Sequence, residues 1–106
     1  MTTRESFGGY IKKLREERKL PIRKVASVLD IDPSTLSKIE RGKRTANKEI
    51  IPLLAELFHK NEKTLNIILF SDKVTYQLLG EENPNEILKI AKEKIQYLKT
   101  KNFKQG

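Results

Sequence analysis

The spacing of apolar residues constrains this sequence most, because it follows the period of an α-helix along almost the whole chain. No segment alternates between apolar and polar residues in the way that predicts a β-strand, and no internal repeat is evident. Capping and helix-breaking residues divide the pattern: Pro21 and Pro33 suit first turns, Asn61 suits an N-cap and Gly42 suits a left-handed helix end. The sequence therefore predicts an all-α fold.

These signals predict a five-helix domain over residues 1–70 and a C-terminal helical extension over residues 71–106. Gly8 and Gly9 lower the helix propensity of the first helix, and they are expected to let a neighbouring helix approach closely. The first predicted helix covers residues 2–19 and begins with a Thr2–Glu5 capping box. The next four are a second from Pro21, a third from Pro33 to about Gly42, a fourth from Asn47 to about Phe58 and a fifth from Asn61 to Leu69. The extension adds a short sixth helix from Ser71 to about Gly80 and a last helix from Pro84 to about Thr100.

The distribution of charge favours a polyanionic partner. Lys and Arg number 22 against 14 Asp and Glu, which gives a net charge of +8 over 106 residues. Residues 1–44 hold 12 of these basic side chains and 6 of the acidic ones, so this part alone carries +6. Because counterion release drives the binding of phosphates, such a region suits a nucleic acid.

Composition also disfavours several classes of protein. The chain has no cysteine, which excludes a disulfide framework, a thiol nucleophile and a cysteine zinc site. No apolar run approaches the ~18 residues of a membrane span and no signal pattern is present, so a cytoplasmic protein without a membrane partner is expected. We find no paired acid and base, phosphate-cradling loop or metal-ligand spacing, and no segment large enough for a ligand domain. The sequence therefore predicts no enzyme activity, cofactor, metal or small-molecule ligand.

Residues 22–41 carry the pattern that bears most directly on function. Two short helices joined by a tight turn need a small residue at their crossing and apolar residues inside, and here Ala26 is small and Asp30 lies at the turn. The second helix of the pair presents polar side chains outward, as a helix that enters a major groove between phosphates does. These side chains are Ser34, Thr35, Ser37 and Lys38, followed by the basic residues Arg41, Lys43 and Arg44.

Residues 7–69 resemble the Cro/repressor-type helix-turn-helix family, also called XRE-like. The most similar stretch reads FGGYIKKLREERKLPIRKVASVLDIDPSTLSKIERGKR, and its run STLSKIERG is far more specific than a generic helix pair. The resemblance implies a domain that binds double-stranded DNA. By the same resemblance, Pro33, Ser34, Thr35, Ser37 and Lys38 read bases, Arg41, Lys43 and Arg44 meet phosphate, and Arg15 and Glu40 form an internal salt bridge.

The sequence departs from the family pattern at several positions. Pro21 and Ile22 stand where a polar cap and a glutamine are usual, so Arg23 or Lys24 is expected to replace that phosphate contact. Asp30 replaces a turn glycine and tolerates left-handed geometry better than most residues. His59 lies at a family position for a helix-ending glycine, which favours a structural role over catalysis or metal binding. Pro33 and Ser34 discriminate poorly between bases, so the operator is not predicted.

The C-terminal extension carries a second apolar pattern. Leu88, Ala91, Ile95 and Leu98 alternate three- and four-residue spacing, which is the a/d seam of two heptads and predicts pairing between two copies of the chain. The alternative is a helix packed wholly within its own monomer. A lysine-rich tail over residues 99–104 is expected to be mobile.

These observations together predict a small cytoplasmic transcription regulator that acts as a homodimer on a two-fold-related operator. It would repress by occluding promoter DNA. A phage-type repressor, an antitoxin and the controller of a restriction–modification operon are alternatives within this class. A protein-interaction adaptor that keeps the fold without DNA binding is an alternative outside it.

Overall fold

A computed structural model describes residues 5–101 of the chain, and within that range it contains six α-helices and no strand. This confirms the all-α prediction. None of these helices combines the length and apolar character that crossing a bilayer requires. The helices are α1 (Phe7–Glu17), α2 (Ile22–Leu29), α3 (Pro33–Glu40), α4 (Ile50–Phe58), α5 (Glu62–Leu78) and α6 (Pro84–Thr100).

The chain divides into two compact units, Met1–Val74 and Thr75–Gly106. The boundary lies inside α5, and the division predicted after residue 70 falls earlier in the same helix. The hydrophobic core belongs to the first unit. In the described part of the second unit no residue is buried, and only Leu78 and Ala91 are half-buried.

The core of the first unit takes apolar side chains from all of α1 to α5. Ala26 is fully buried, as expected for a small residue at the crossing of two helices. Each fully buried Leu, Ile or Phe side chain contributes about 1.5–3 kcal/mol to stability relative to an exposed one. The largest fully buried side chains are Phe7, Phe58, Ile11, Leu36, Leu54, Leu65, Leu69 and Val25.

Four helix ends are closed by a residue in the left-handed conformation: Lys19, Asp30, Gly42 and His59, with φ of 55°, 58°, 74° and 55°. After α3, the Gly42 N–H donates to the Ile39 carbonyl at 3.0 Å and the Lys43 N–H to the Lys38 carbonyl at 2.8 Å. This pair of bonds satisfies carbonyls that the helix itself leaves unpaired. The predicted helix-ending roles of Asp30, Gly42 and His59 are confirmed.

The start of the first helix differs from the prediction. α1 begins at Phe7, and the Ser6 hydroxyl caps it by accepting a hydrogen bond from the Gly9 N–H at 3.0 Å. Glu5 precedes the helix, and Thr2 lies outside the described residues. The Thr2–Glu5 start is therefore wrong, because Glu5 lies outside the helix and the Ser6 hydroxyl makes the capping bond.

The predicted break after Leu69 is also wrong. The Ser71 hydroxyl donates to the Ile68 carbonyl at 2.8 Å within the same helix, so this serine is accommodated without ending it. α5 continues to Leu78, and no separate short helix follows it before α6. At the other end the prediction holds, since the Asn61 side chain accepts from the Lys63 and Thr64 N–H groups at 2.8 and 3.2 Å.

The start of α4 also differs from the prediction, whereas the starts of α3 and α6 do not. α4 begins at Ile50, and residues 47–49 form a turn in which the Asn47 carbonyl accepts from the Ile50 N–H at 3.2 Å. Asp32 occupies the N-cap of α3 as predicted, but its side chain makes no capping hydrogen bond. α6 has the predicted bounds; residues 99 and 100 of the predicted tail belong to it, and residues 102–104 of that tail lie outside the described residues.

Candidate nucleic-acid interface

The connection between α2 and α3 is a three-residue turn, as the sequence predicts. Asp30 takes the left-handed conformation (φ 58°, ψ 44°), which stops α2, and the Ile31 N–H then bonds to the Ala26 carbonyl at 3.0 Å. Asp32 is extended (φ −69°, ψ 145°), and Pro33 starts α3 where its missing N–H costs nothing. The turn therefore redirects the chain while the N–H groups of Asp30 and Ile31 keep carbonyl partners in α2.

α3 has one buried face and one exposed face. Leu36 is fully buried and Ile39 is 6% exposed, so the inner side of this eight-residue helix is held in the core. The other side contains all five residues that the sequence analysis assigned to base reading. Pro33, Ser34 and Lys38 are exposed, and Thr35 and Ser37 are half-buried.

Arg15 and Glu40 join the first helix to the end of α3. Arg15 Nε lies 2.8 Å from Glu40 Oε2, and its Nη2 donates to Oε1 at 2.9 Å, so the guanidinium holds the carboxylate with two parallel bonds. The Arg15 Nη1 also donates to the Leu20 carbonyl at 3.0 Å. The side chains are 13% and 3% exposed. Hydrogen bonding to Glu40 raises the pKa of Arg15, so the guanidinium stays protonated.

Gly8 allows α1 to lie directly against the backbone of α3. A Cβ atom at this position would stand 1.9 Å from the Ile39 carbonyl oxygen and 3.0 Å from the Glu40 Cα. Only glycine permits that approach. The close contact expected from the two glycines is therefore found at Gly8, whereas a Cβ at Gly9 would meet only the Ser6 hydroxyl, at 3.1 Å.

The residues expected to contact phosphate are all exposed. Arg23 and Lys24 lie in the first turn of α2, and Lys43 lies three residues beyond the end of α3. Arg41 folds its Nε back to the Ser37 carbonyl at 3.3 Å. Arg44 reaches the depression at the helix-turn-helix turn, which is lined by Ser27, Asp30, Ile31, Asp32 and Thr35.

Arg18 is a structural residue that its sequence position did not reveal. It is exposed and lies at the C-cap of α1. Its Nη1 donates to the Leu57 carbonyl and its Nη2 to the Phe58 carbonyl, both at 3.1 Å, and the guanidinium lies 5.7 Å from the centre of the Phe58 ring. Arg18 thus satisfies the last carbonyls of α4. Its partners are 39 and 40 residues away, so no local pattern signals them.

The side chains of the predicted α6 seam are exposed or half-buried in the second unit. Leu88, Ile95 and Leu98 are 45%, 54% and 46% exposed, and Ala91 is half-buried. α6 contains no buried residue.

Over residues 5–101 no three acidic or histidine side chains are grouped as metal ligands would be.

Comparison with known proteins gives matches over the same region. A family model described as "Helix-turn-helix" matches residues 11–65, just over half of the chain. A 44-residue segment is 43% identical to the HTH-type transcriptional repressor RghR of Bacillus subtilis (strain 168) and covers 42% of this chain but 33% of that protein. The chain thus matches about a third of that relative's length.

The crystal structure of the clp gene regulator ClgR from Corynebacterium glutamicum is similar in fold. It superposes with a TM-score of 0.53 at 18% identity, over 86% of this chain and 95% of that one.

Proposed function

We propose that this chain, which belongs to the XRE-like helix-turn-helix family, regulates transcription by inserting α3 into the major groove of double-stranded DNA. The observation that carries the proposal is the division of α3 into two sides. Its inner side is held by the core and by the Arg15–Glu40 pair, while its outer side is polar and exposed next to a basic segment. A helix fixed in this way presents side chains to base edges without mobility of its own.

The proposal divides the site residues by role. Lys38 is long, exposed and central on α3, and it suits the O6 and N7 acceptors of guanine. Pro33 offers an apolar surface for a thymine methyl group, and the hydroxyls of Ser34, Thr35 and Ser37 complete the base-reading set. Phosphate contacts fix the register of the protein and carry no sequence information. We assign them to Arg23, Lys24, Arg41, Lys43 and Arg44.

Two substitutions separate base reading from phosphate binding. Lys38→Ala should weaken binding to the preferred site more than to random duplex, whereas Arg41→Ala should weaken both similarly. Lys63→Ala removes the same charge from an exposed position at the start of α5 and should change neither affinity. Titration of each variant against a duplex from the protein's own upstream region and against random duplex gives the comparison. Equal losses for Lys38 and Arg41 variants on both duplexes would contradict the assignment.

Binding should depend strongly on salt, because the basic first part of the chain would displace counterions. If a dimer neutralises ~6 phosphates, affinity should fall about a thousandfold between roughly 50 and 200 mM salt. Titrations across this range test the nucleic-acid proposal itself. An affinity that does not change with salt, or no binding to any duplex, would remove it.

The proposal includes a homodimer that pairs through the α6 seam. Leu88, Ile95 and Leu98 keep about half of their side-chain area in contact with water in the single chain, so a second copy has apolar area to cover. Two heptads alone are too short for a stable coiled coil, and the interface should therefore also recruit apolar side chains of α5, where Ile67, Phe70 and Val74 are exposed.

A charge-matched pair of double variants tests the seam. Ile95→Asp with Leu98→Asp places two carboxylates in the proposed interface and should give a folded monomer in sedimentation equilibrium. Asn85→Asp with Gln96→Asp adds the same charge on the polar side of α6 and should leave the dimer intact. A seam variant that stays dimeric would refute the assignment. One that unfolds would indicate that α6 completes the core of its own monomer.

We further propose that this chain represses transcription by occluding promoter DNA; the Bacillus relative is itself a transcriptional repressor. Because both similar proteins come from bacteria, where the DNA lies in the cytoplasm, we propose a cytoplasmic location for this chain as well. The proposal assigns no catalytic step, cofactor or small-molecule ligand. A footprint on the chain's own upstream DNA would locate the operator, and its overlap with the promoter would distinguish occlusion from activation.

A further inference from the structure

The charged side chains of α6 are sorted by their distance from the apolar seam. In the heptad that places Leu88 at position a, positions e and g border the seam and position f lies on the opposite side of the helix. From residue 92 onward every e and g position is a lysine: Lys92, Lys94, Lys99 and Lys101. Both glutamates of the helix, Glu86 and Glu93, fall at f. All of these charged side chains are exposed, so positive charge borders the seam on both sides.

A second copy of α6 meets like charge beside the seam in either direction. In a parallel pair a g position faces the following e position of the other helix, so Lys94 would lie opposite Lys99 of the second copy. In an antiparallel pair g faces g and e faces e, so lysine again faces lysine. Like charges in such places oppose association, and salt weakens this opposition by screening. Two copies therefore pair through their apolar residues against their own charge.

The seam is also hollow at Ala91. A depression of about 380 Å³ lies at this residue and is lined by Glu86, Ile87, Ile90, Ala91 and Lys94. In a parallel pair of identical helices Ala91 would face a second alanine, and that layer of the interface would stay underfilled. A partner helix with a large apolar side chain at this layer fills the depression and removes apolar area from water.

We infer that the α6 seam binds an acidic amphipathic helix of another protein, in competition with a second copy of this chain. Glutamates that flank the apolar residues of such a helix face Lys92, Lys94 and Lys99, and its large side chains cover Ala91. This partner attracts the seam by charge, whereas a second copy repels it. The regulatory consequence rests on the proposed function: a chain paired with this partner brings a single α3 to the DNA, so its affinity for the operator falls.

Two synthetic peptides measure the preference for charge. Each has three heptads with isoleucine at a and leucine at d; one carries glutamate at every e and g position, and the other carries lysine there. Exchanging a repulsive for an attractive pair changes affinity about two- to fivefold. Because three lysines of the helix take part, the full chain should bind the glutamate peptide about tenfold or more tightly in fluorescence anisotropy. This preference should shrink as salt rises from roughly 50 to 500 mM.

A charge-matched pair of double variants locates the binding. Lys94→Glu with Lys99→Glu changes the charge beside the seam and should remove the preference for the glutamate peptide. Lys63→Glu with Lys89→Glu makes the same change of charge at exposed positions away from the seam and should keep it. In sedimentation equilibrium the glutamate peptide should replace the dimer of the unaltered chain by a complex of one chain with one peptide. Operator affinity should fall in its presence and stay the same with the lysine peptide.

Several outcomes would overturn the inference. Equal affinities of the unaltered chain for the two peptides would do so, as would a preference that survives in the Lys94→Glu and Lys99→Glu variant. A glutamate peptide that binds without dispersing the dimer would place its site elsewhere. Phosphatidylglycerol vesicles are a further probe: binding that needs Lys94 and Lys99, without a preference between the peptides, would make a lipid surface the occupant instead. Failure of the unaltered chain to bind duplex DNA would refute the proposed function and leave the peptide comparison unaffected.

Discussion

Replacing Gly8 by alanine should destabilise the first unit far more than the addition of one methyl group suggests. The new Cβ would stand 1.9 Å from the Ile39 carbonyl oxygen and 2.8 Å from its carbonyl carbon. Carbon and carbonyl oxygen normally approach no closer than about 3.3 Å, so α1 and α3 must separate by roughly 1.4 Å. The obstructing atoms belong to the backbone and cannot rotate away.

The magnitude follows from two opposing contributions. Overpacking of this kind costs about 3 kcal/mol or more when backbone must shift, whereas alanine in place of glycine inside a helix contributes about 1 kcal/mol in the favourable direction. The expected net loss is therefore about 2 kcal/mol. Gly9→Ala is the matched control, because its Cβ would meet only the Ser6 hydroxyl at 3.1 Å and should leave stability unchanged or raise it by up to about 1 kcal/mol.

Urea unfolding followed by circular dichroism measures both variants. With a urea dependence of about 1–2 kcal/mol per molar for a small protein, the midpoint of Gly8→Ala should fall by about 1–2 M while that of Gly9→Ala stays or rises. DNA affinity of folded Gly8→Ala should also fall, since the displaced backbone belongs to α3. Equal midpoints for the two alanine variants would refute the close approach of α1 to α3.

Substitutions at three further positions test individual features of the fold. Arg15→Ala should lower the free energy of unfolding by about 3–5 kcal/mol in the same urea assay, because it leaves the Glu40 carboxylate buried without its partner; a loss below 1 kcal/mol would contradict this. His59→Gly should raise the melting temperature, because a non-glycine residue in the left-handed conformation costs about 1–2 kcal/mol. The extra freedom of glycine in the unfolded chain offsets about 0.5–1 kcal/mol of this gain. A lower melting temperature would contradict the prediction. Arg18→Ala should cost about 1–2 kcal/mol and Arg18→Lys somewhat less, since lysine cannot donate to both carbonyls in the same fork; unchanged stability in both would show that these bonds contribute nothing.

Helices were predictable where the signals are local. The left-handed ends at Asp30 and Gly42 and the cap at Asn61 each depend on one residue and its immediate neighbours, so the sequence alone indicates them. The break predicted at Ser71 failed for the opposite reason. Serine favours caps and turns, but its hydroxyl also fits inside a helix when it bonds to the preceding turn, and the surrounding apolar residues decide between the two.

The start of α1 shows the same limit. Thr2–Glu5 and Ser6 are both acceptable caps by local rules, and the burial of Phe7 and the carboxylate of Asp72 select the second. Contacts such as Asp72 to Phe7 and Arg18 to Leu57 join residues far apart in the sequence. The periodic spacing of apolar residues does not indicate such contacts.

The candidate site was predictable mainly through resemblance. The family is confirmed by the match over residues 11–65, and the exposed side of α3 contains the residues that the family pattern singled out. Without the resemblance, the sequence predicts only a polar helix next to a basic segment. The roles of individual residues towards bases and phosphates stay predictions, because they depend on the geometry of bound DNA.

The double hydrogen bond between Arg15 and Glu40 limits the routes by which this sequence can change over generations. Losing either partner first leaves one charge buried, at a cost that is a large part of the 5–15 kcal/mol by which proteins are usually stable. An apolar pair of similar size at both positions is often neutral or better. The two states are therefore both viable, but every single-substitution path between them passes through a nearly unfolded ancestor. Divergence of this chain should proceed around the pair, in the exposed residues of α3, so that the base reading proposed for this helix can change without disturbing the support beneath it.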